Sequence, residues 1–292
     1  ADDVTVNAVS AQLIDGVSFA LTSGVQSTFS GVAVQGAGDV NDGDILLQAG
    51  GFLTLNQPVN AGRAAAGDET MADVRLIANG DITQTAVGII TADELGVRQL
   101  SAAGGVDVAL GDANDVNHLA VANLSDTGFV VFRDVDDLTV NDVSVQAVDG
   151  ITFDGTTGVQ TSFTGAAVQG DAVTDGDILI QAGGFLSLNQ QVNAGRAVAG
   201  DETLADVRLI ASGDITGAVA GIITADELGI RQQSAAAGID VLLGDINDVN
   251  HLAVENLSDG GVIVFNDADD VTVNAVSAQL IDGVSFALTS GV

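Results

Sequence analysis

The segment GDILLQAGGFLTL, residues 43–55, contains two short aliphatic runs on either side of a double glycine. In its second run Leu53 and Leu55 flank a polar residue, and this alternation has the period of a β-strand and not of a helix. Gly, Asn and Asp lie between such runs, as turns require. The segment therefore predicts short strands joined by tight turns.

The same pattern returns at short intervals along the chain. A glycine heads a β-branched or aliphatic run at Gly16, Gly43, Gly80, Gly105, Gly128 and Gly150. Most steps between these glycines are 22 to 27 residues, which suits one coil of a β-solenoid. The one longer step contains NAGRAAAGDETMAD (60–73), which returns as NAGRAVAGDETLAD (193–206) and predicts a coil with a lateral excursion.

A longer repeat organises these coils. The letters DDVTV at residues 2–6 return as DDLTV at 136–140 and as DDVTV at 269–273. The chain accordingly divides into a first unit of about 134 residues (1–134), a second unit (135–267), and the start of a third (268–292), which is identical to residues 1–25. This self-similarity predicts a tandem array of stacked units.

The composition favours thin aliphatic layers over a globular enzyme core. Hydrophobic residues make up 47% of the 292 residues, which is enough for an ordered core despite a net charge of −33. Aromatic residues are only 3%, all of them Phe, so Val, Ile, Leu and Ala must fill the interior. We expect an all-β parallel β-helix, or β-solenoid, built from the tandem units.

Charge and cysteine content exclude several functions. The strongly negative chain should repel nucleic acid and anionic membranes, whereas it should attract divalent cations and cationic partners. There is no Cys for disulfides, thiolate catalysis or sulfur-ligated metals. No run of about 18 apolar residues exists, so no helical membrane span is expected.

The order of the segments also resembles a known family. GDILLQAGGFLTLNQPVNAG (43–62), ADVRLIANGDITQTAVGIITADELGVRQ (72–99), AGGVDVALGDANDVNHLAVANLSD (103–126) and GFVVFRDVDDLTV (128–140) resemble the repeats of filamentous-haemagglutinin-like exoproteins. These proteins include large autotransporter and two-partner-secreted adhesins. The resemblance, which rests on rhythm and composition over nearly all of both units, implies a right-handed parallel β-helix that folds outside the bacterial cell as an adhesive fibre.

Two acidic segments are candidate calcium sites. GDANDVNH (111–118) returns as GDINDVNH (244–251), and hard oxygen ligands at close spacing are what Ca²⁺ prefers. The candidate metal ligands are Asp112, Asn114, Asp115 and Asn117 in the first unit, and Asp245, Asn247, Asp248 and Asn250 in the second. Neither the EF-hand spacing nor the calcium-binding nonapeptide is present, so the alternative is a set of Asx turns on a solvated face.

Catalysis is not expected. The two histidines, His118 and His251, have no obvious nucleophile or second catalytic group nearby in sequence, and are expected to be turn or edge residues. The arginines of the first unit, Arg63, Arg75 and Arg98, should pair with flanking acids such as Asp73 or Glu94.

The leading hypothesis is a non-catalytic extracellular segment of a repetitive bacterial surface adhesin or filament. It would act as a rod-like spacer and as a repeated contact surface, without a required cofactor. Its expected partners are further copies of itself, through open strand edges, and cell-surface glycans or proteins. The alternatives are a binding module stiffened by Ca²⁺ and a β-helix polysaccharide lyase or hydrolase.

Overall fold

The structure is a computed structural model that describes residues 2–9, 12–14, 17–19, 22–26, 43–61, 72–148, 150–162, 176–194, 205–287 and 289–292. Throughout this part of the chain the regular structure is β-strand, with no helix. The predicted lateral excursion lies mostly outside the described residues, as do Arg63 and Arg196.

The strands are numbered in chain order. The first part of the chain forms β1 (Val4–Val6), β2 (Ala8–Val9), β3 (Gln12–Ile14), β4 (Val17–Phe19), β5 (Thr22–Ser23), β6 (Val25–Gln26), β7 (Ile45–Ala49), β8 (Leu53–Leu55), β9 (Val59–Asn60), β10 (Val74–Ala78), β11 (Ile82–Gln84), β12 (Ile90–Gln99), β13 (Val108–Asp126), β14 (Val130–Asp134) and β15 (Leu138–Val140).

The remaining strands repeat this order after a hairpin. They are β16 (Asp142–Val143), β17 (Gln146–Val148), β18 (Ile151–Phe153), β19 (Thr156–Thr157), β20 (Val159–Ser162), β21 (Ile178–Ala182), β22 (Leu186–Leu188), β23 (Val192–Asn193), β24 (Val207–Ala211), β25 (Ile215–Gly217), β26 (Ile223–Gln232), β27 (Val241–Asn256), β28 (Ile263–Asp267), β29 (Thr272–Val273), β30 (Ala275–Val276), β31 (Gln279–Ile281), β32 (Val284–Phe286) and β33 (Thr289–Ser290).

The chain winds into stacked coils whose strands pair in parallel. One row of register partners runs through Leu53, Ile82, Val108, Val130 and Ile178. Each of these side chains is 0% exposed, so the row forms an aliphatic column along the axis. The predicted all-β parallel β-solenoid is confirmed, with about 8 turns. Burial of each such side chain contributes about 1.5–3 kcal/mol, which must offset the cost of ordering the coil.

The acidic segments, for which Asx turns were the alternative to calcium sites, are instead parts of long strands. Strand β13 continues unbroken through residues 111–118, and β27 does the same through residues 244–251. The register of β13 against β14 shifts between Leu110 and Asn114, which marks an irregularity within the strand. An Asn or Asp there does not imply a turn, because its side chain can satisfy the backbone groups left unpaired where the ladder is interrupted.

In the described part of the chain, three antiparallel hairpins leave the coils at regular positions. They comprise strands β2 to β5, β16 to β19 and β30 to β33. The runs after Gly16 and Gly150, which the spacing assigned to coils, are therefore hairpin strands. The sequence feature that indicates a hairpin is the pair Asp-Gly. Asp282 and Gly283 have φ of 45° and 81°, the two positive values that a tight hairpin turn requires.

The second and third hairpins lie against the outer surface of the solenoid. Phe153, on β18, is 0% exposed and packs over Gly96, where an added Cβ would lie 2.6 Å from the ring. Phe286 repeats this contact over Gly229. Glycine at these two positions on the outer face of the sheet gives each ring a place to dock, so the hairpins cover apolar side chains that the coils would otherwise expose.

Candidate functional site

A buried arginine lies under each of these two hairpins. Arg75, on β10, is 1% exposed and donates from Nη2 to Asp73 Oδ2 at 2.9 Å and to Glu94 Oε2 at 2.8 Å. Its guanidinium also lies 5.5 Å from the centre of the Phe153 ring. The predicted pairing of Arg75 with Asp73 and Glu94 is confirmed.

The second half of the chain contains the same arrangement. Arg208 donates to Asp206 and Glu227, each at 2.8 Å, and lies 5.5 Å from the Phe286 ring centre. A buried guanidinium that is paired with two acidic side chains holds the surrounding strands in one geometry, since a displacement would leave its charge unpaired. The repeated arrangement therefore suits a structural clamp.

The second and third hairpins also bind this cluster through a glutamine. Gln146 donates from Nε2 to Asp44 Oδ2 at 2.5 Å, and Asp44 Oδ1 accepts the backbone N–H of Asp73 at 2.9 Å. Gln279 makes the corresponding bond to Asp177 Oδ2, also at 2.5 Å. The hairpin is thus fixed to a line of carboxylates on the coils beneath it.

These carboxylates outnumber the guanidinium groups that face them. Burial raises the pKa of Asp73 to about 7, against the lowering effect of Arg75, and the nearby acids Glu94, Asp44 and Asp93 raise it further. Burial likewise raises the pKa of Asp206 to about 8. The cluster therefore holds protons near neutral pH.

Another carboxyl with a raised pKa lies buried where β14 ends. Asp134 accepts the N–H of Val116 at Oδ1 and that of Asp136 at Oδ2. Burial raises its pKa to about 8, and its side-chain contact with Asp136 adds to the increase. Asp134 thus also binds a proton more tightly than an exposed carboxyl does.

The predicted calcium ligands in the first half lie on β13 and have separate surroundings. Asn114 is 0% exposed and donates from Nδ2 to the carbonyls of Leu110, Asp112 and Arg133, while its Oδ1 accepts from Ile90 N and Gln84 Nε2. Its amide is therefore fully engaged with the protein.

The other residues of this candidate set have different partners from those of Asn114. Asn117 donates from Nδ2 to Asp93 Oδ1 at 2.9 Å, and Asp115 pairs in register with Thr91. The pKa of Asp112 is raised by partial burial and by Asp282, whereas that of Asp115 is raised by partial burial and by Asp136. These two carboxyls thus have different acidic neighbours.

The second candidate set, on β27, repeats this arrangement. Asn247 donates from Nδ2 to the carbonyls of Leu243, Asp245 and Asn266, and its Oδ1 accepts from Ile223 N. Asn250 donates to Asp226 Oδ1 at 3.0 Å, and Asp248 pairs in register with Thr224. Within the residues that the structure describes, no three Asp, Glu or His side chains converge as a metal site requires.

Both histidines lie on long strands. His118 is in register with Glu94 on one side and Thr139 on the other. His251 occupies the corresponding position, with Nδ1 3.6 Å from Asp226 Oδ1. The expectation of an edge or turn residue was wrong about the turn, because β13 and β27 continue through these positions.

Sequence reasoning did not identify a cavity at the base of the second hairpin. This recess of about 300 Å³ is lined by groups that include Arg98, Ala122, Thr157, Gln160 and Ser162. Hydroxyl, amide and guanidinium groups therefore face the same space. The cavity was missed because residues 142–157 were assigned to a coil, whereas the recess forms only where the hairpin meets β13 and β20.

The arginine of this cavity has a different partner in each half of the chain. Arg98 Nη1 lies 2.9 Å from Asp154 Oδ2, and that carboxylate side chain is 71% exposed. Arg231 instead lies 2.7 Å from Glu255, which occupies the position of Ala122. Ala122 has no carboxylate, so the first half lacks this ion pair at the corresponding position.

Comparison of the chain with models of known protein families, with curated proteins and with solved structures finds no match. In the described part of the chain, no helix has the length and apolar character needed to cross a membrane.

Replacing Asn114 with Ala should destabilise the protein with or without calcium. The change leaves a backbone N–H and several carbonyls without their side-chain partner, and we expect a loss of about 3 kcal/mol in the free energy of unfolding. Urea denaturation in EDTA measures it. Asn117→Ala, which removes the bond to Asp93, is the matched control and should cost about 1 kcal/mol. Equal losses in the two variants would contradict the structural role of Asn114.

The raised pKa values predict that stability declines as the solution becomes alkaline. Asp73, Asp134 and Asp206 keep protons in the folded chain that they release on unfolding above their ordinary pKa of 3.8. Their contribution is fully present below that value and is lost as pH rises through about 7 to 8.

Urea midpoints measured between about pH 5 and pH 9 should therefore fall with increasing pH. The triple change of Asp73, Asp134 and Asp206 to Asn should flatten this dependence, whereas Asp154→Asn, at an exposed carboxylate, should leave it unchanged. A midpoint that rises across this range in the unmodified chain would contradict the prediction.

Proposed function

We propose that the chain is a non-catalytic, extracellular fibre segment of a large repetitive bacterial surface adhesin or surface filament. It acts there as a rod-like spacer and as a contact surface. The observation that supports this most directly is the repetition of one stacking register. Val74 pairs with Leu95 in the first half, and Val207 pairs with Leu228 in the second. Such a chain can be lengthened by adding coils without changing its cross-section.

In this proposal the solenoid is right-handed and its units are residues 1–134, 135–267 and the beginning of a third at 268–292. Parallel strands joined by a crossover have this hand in nearly all known cases. Strands with matching sequences make matching pairs in the two halves, as β10 with β12 and β24 with β26 do. This agreement supports the repeat as the structural unit of the fibre.

A structural function also suits the distribution of the polar groups. The buried arginines bind paired acids under the hairpins, and Asn114 and Asn247 bind the backbone. Each arrangement occurs twice, which favours architecture over a single active centre. The proposal needs no cofactor. The calcium-stiffened module is tested by the melting temperature in about 1 mM Ca²⁺, which a folded-state site of millimolar or tighter affinity must raise.

The rod predicts a simple relation between chain length and particle length. About 8 turns at a spacing of roughly 4.8 Å give roughly 40 Å along the axis. Small-angle X-ray scattering of this chain and of a chain doubled at the repeat boundary should show the length doubled and the cross-sectional radius unchanged. A doubled chain that is compact in both dimensions would overturn the fibre proposal.

Antibodies to the segment should also label intact source cells without permeabilisation.

The recess at Arg98 is the proposed contact site for surface glycans. Its hydroxyl, amide and guanidinium groups can form hydrogen bonds with sugar hydroxyls or with a sugar carboxylate. Arg98 can exchange its ion pair with Asp154 for a contact with the sugar, because the side chain of Asp154 is exposed. Glycan-array screening followed by calorimetry should detect a ligand. Ala122→Glu introduces the residue that the second half carries at this position, so it should fill the recess without disturbing the fold.

We expect Ala122→Glu to weaken glycan binding at least about tenfold, because the introduced carboxylate side chain would occupy the recess and pair with Arg98. Ala268→Glu adds the same charge at an exposed position and should bind as the unmodified chain does. Equal binding by the two variants would place the contact elsewhere on the rod, and absence of any glycan ligand would overturn this part of the proposal.

A further inference from the structure

The two halves of the chain place the same residues on different sides of the solenoid. Each coil has three sides, since β11 stacks on β8 after β9 and β10. The row that contains β8 continues over β11, β13 and β14 to β21. The counterpart of β8 in the second half is β22, the strand after β21. From β8 to β22 the chain therefore makes four coils and one further strand, which turns the repeat by one of the three sides.

The first half carries hydroxyl groups beside an exposed aromatic ring. Thr54 and Thr83 are register partners on successive coils, and Thr83 Oγ1 lies 3.4 Å from Thr54 Oγ1. Phe52, two residues before Thr54, is 49% exposed. We call Phe52, Thr54 and Thr83 the first ring site.

The ring of Phe52 is fixed in place although it is half exposed. Asp3 Oδ1 accepts the backbone N–H of Phe52 at 3.0 Å. The ring lies over Gly80 of the next coil, where an added Cβ would be 2.8 Å from Phe52 Cδ1. The ring therefore offers a flat, oriented apolar surface to a ligand.

The second half repeats this surface on its own strands. Ser187 and Thr216 are register partners whose hydroxyl oxygens lie 3.4 Å apart. Phe185 is 48% exposed, and its ring lies over Gly213 as that of Phe52 lies over its glycine. Asp137 Oδ1 accepts the N–H of Phe185 at 2.7 Å. We call Phe185, Ser187 and Thr216 the second ring site.

The two ring sites lie in different rows of register partners. Beyond Thr83 the row of the first site continues through Ala109 to Leu179, and these two residues belong to the apolar cluster under the third hairpin. The second site lies in the row of His118. The sites therefore face different directions, and four and a third coils of roughly 4.8 Å separate them by roughly 21 Å along the axis.

The openness of the ring sites belongs to the repeat itself. The first site is followed by the second half of the chain, and the second site is preceded by the first half. Phe52 and Phe185 have nearly the same exposure in these two settings. The exposure of the rings thus does not depend on which coils happen to lie before or after them.

The chemistry of the ring sites fits a neutral sugar chain. An aromatic ring packs against the C–H face of a sugar, and neighbouring hydroxyl groups form hydrogen bonds with the sugar hydroxyls. The charged side chains next to each ring are acidic, with Asp3 and Asp81 at the first site and Asp137 and Asp214 at the second. An acidic glycan would therefore be repelled by these groups and by the net charge of −33.

We infer that each ring site binds a neutral glycan chain, and that the turn of the repeat directs successive sites to different sides of the fibre. The inference rests on the proposed fibre function, for which it names a second contact surface, separate from the recess at Arg98, and the class of its ligand. Sites that face different directions bind glycans of separate surfaces at the same time. The fibre then links two surfaces and gains avidity from each further repeat.

Calorimetry with neutral oligosaccharides of glucose, mannose, galactose and N-acetylglucosamine tests the binding. The Ala122→Glu chain is used, so that the recess does not contribute. We expect two sites per chain, and one site after Phe52→Ser. Adding Phe185→Ser should weaken the remaining binding at least about tenfold, because both rings are then lost. Leu280→Ser, which removes a side chain that is 72% exposed on the third hairpin, is the control and should retain both sites.

Three results would overturn the inference. The first is unchanged binding by the variant that lacks both rings, and the second is an acidic glycan that binds these sites as tightly as a neutral one. The third is the absence of binding by every neutral oligosaccharide. A rod-like scattering profile of the same chain would in each case leave the fibre function intact.

A distance measurement tests the turn between the sites. The chain has no cysteine, so the double variant Thr54→Cys with Ser187→Cys carries one spin label at each ring site. A side of about five residues at roughly 3.3 Å is roughly 17 Å wide, and with the axial advance of roughly 21 Å it separates the two positions by roughly 27 Å. Pulsed electron paramagnetic resonance should report at least this distance. A separation of only about 21 Å, as expected for two positions in one row, would contradict the turn.

Discussion

The parallel ladder between successive coils is the interaction on which the rest of the structure depends. A single coil has unpaired N–H and C=O groups along both edges, and its few inward side chains cannot exclude water. Stacking satisfies the backbone and joins those side chains into columns such as the one through Leu53 and Ile82. Stability is therefore a property of neighbouring coils, which explains how a chain with 3% aromatic residues forms an ordered interior.

The hairpins extend the same dependence to the outer surface. A solenoid sheet has an outward face, and aliphatic residues such as Ile77 and Ile210 would be exposed there. The second and third hairpins cover these residues. Beneath each hairpin an arginine, Arg75 or Arg208, contacts the hairpin's Phe ring and pairs with carboxylates of the coils. Because the third hairpin crosses from one half of the chain to the other, it restrains the two halves laterally while the backbone ladder joins them axially.

Particular residues show how far prediction from sequence could go. Alternation at Leu53 and Leu55 correctly indicated inward strand positions, and proximity in sequence correctly paired Arg75 with Asp73. The acidic segments were misinterpreted as turns because asparagine is common in turns, yet Asn114 lies within a strand. The calcium prediction for those segments stays a prediction. The recess at Arg98 could not be found, since its walls come from a hairpin and coils that meet only after folding.

The sequence by itself determined the period, the strand class, the aliphatic interior and the repetition, because these follow from local alternation and from self-similarity. The tertiary structure alone decided which repeated residues share an environment. Ile45 and Ile178 have nearly the same local sequence, and each pairs with the valine that begins a five-residue strand of the next coil. Ile178, however, also stacks on Val130 of the first half. Gly111 and Gly244 likewise differ in whether a hairpin covers them. The physical reason is that these contacts join different coils, so they depend on which coils and hairpins lie next to a strand after folding, and the local sequence of the strand does not encode that.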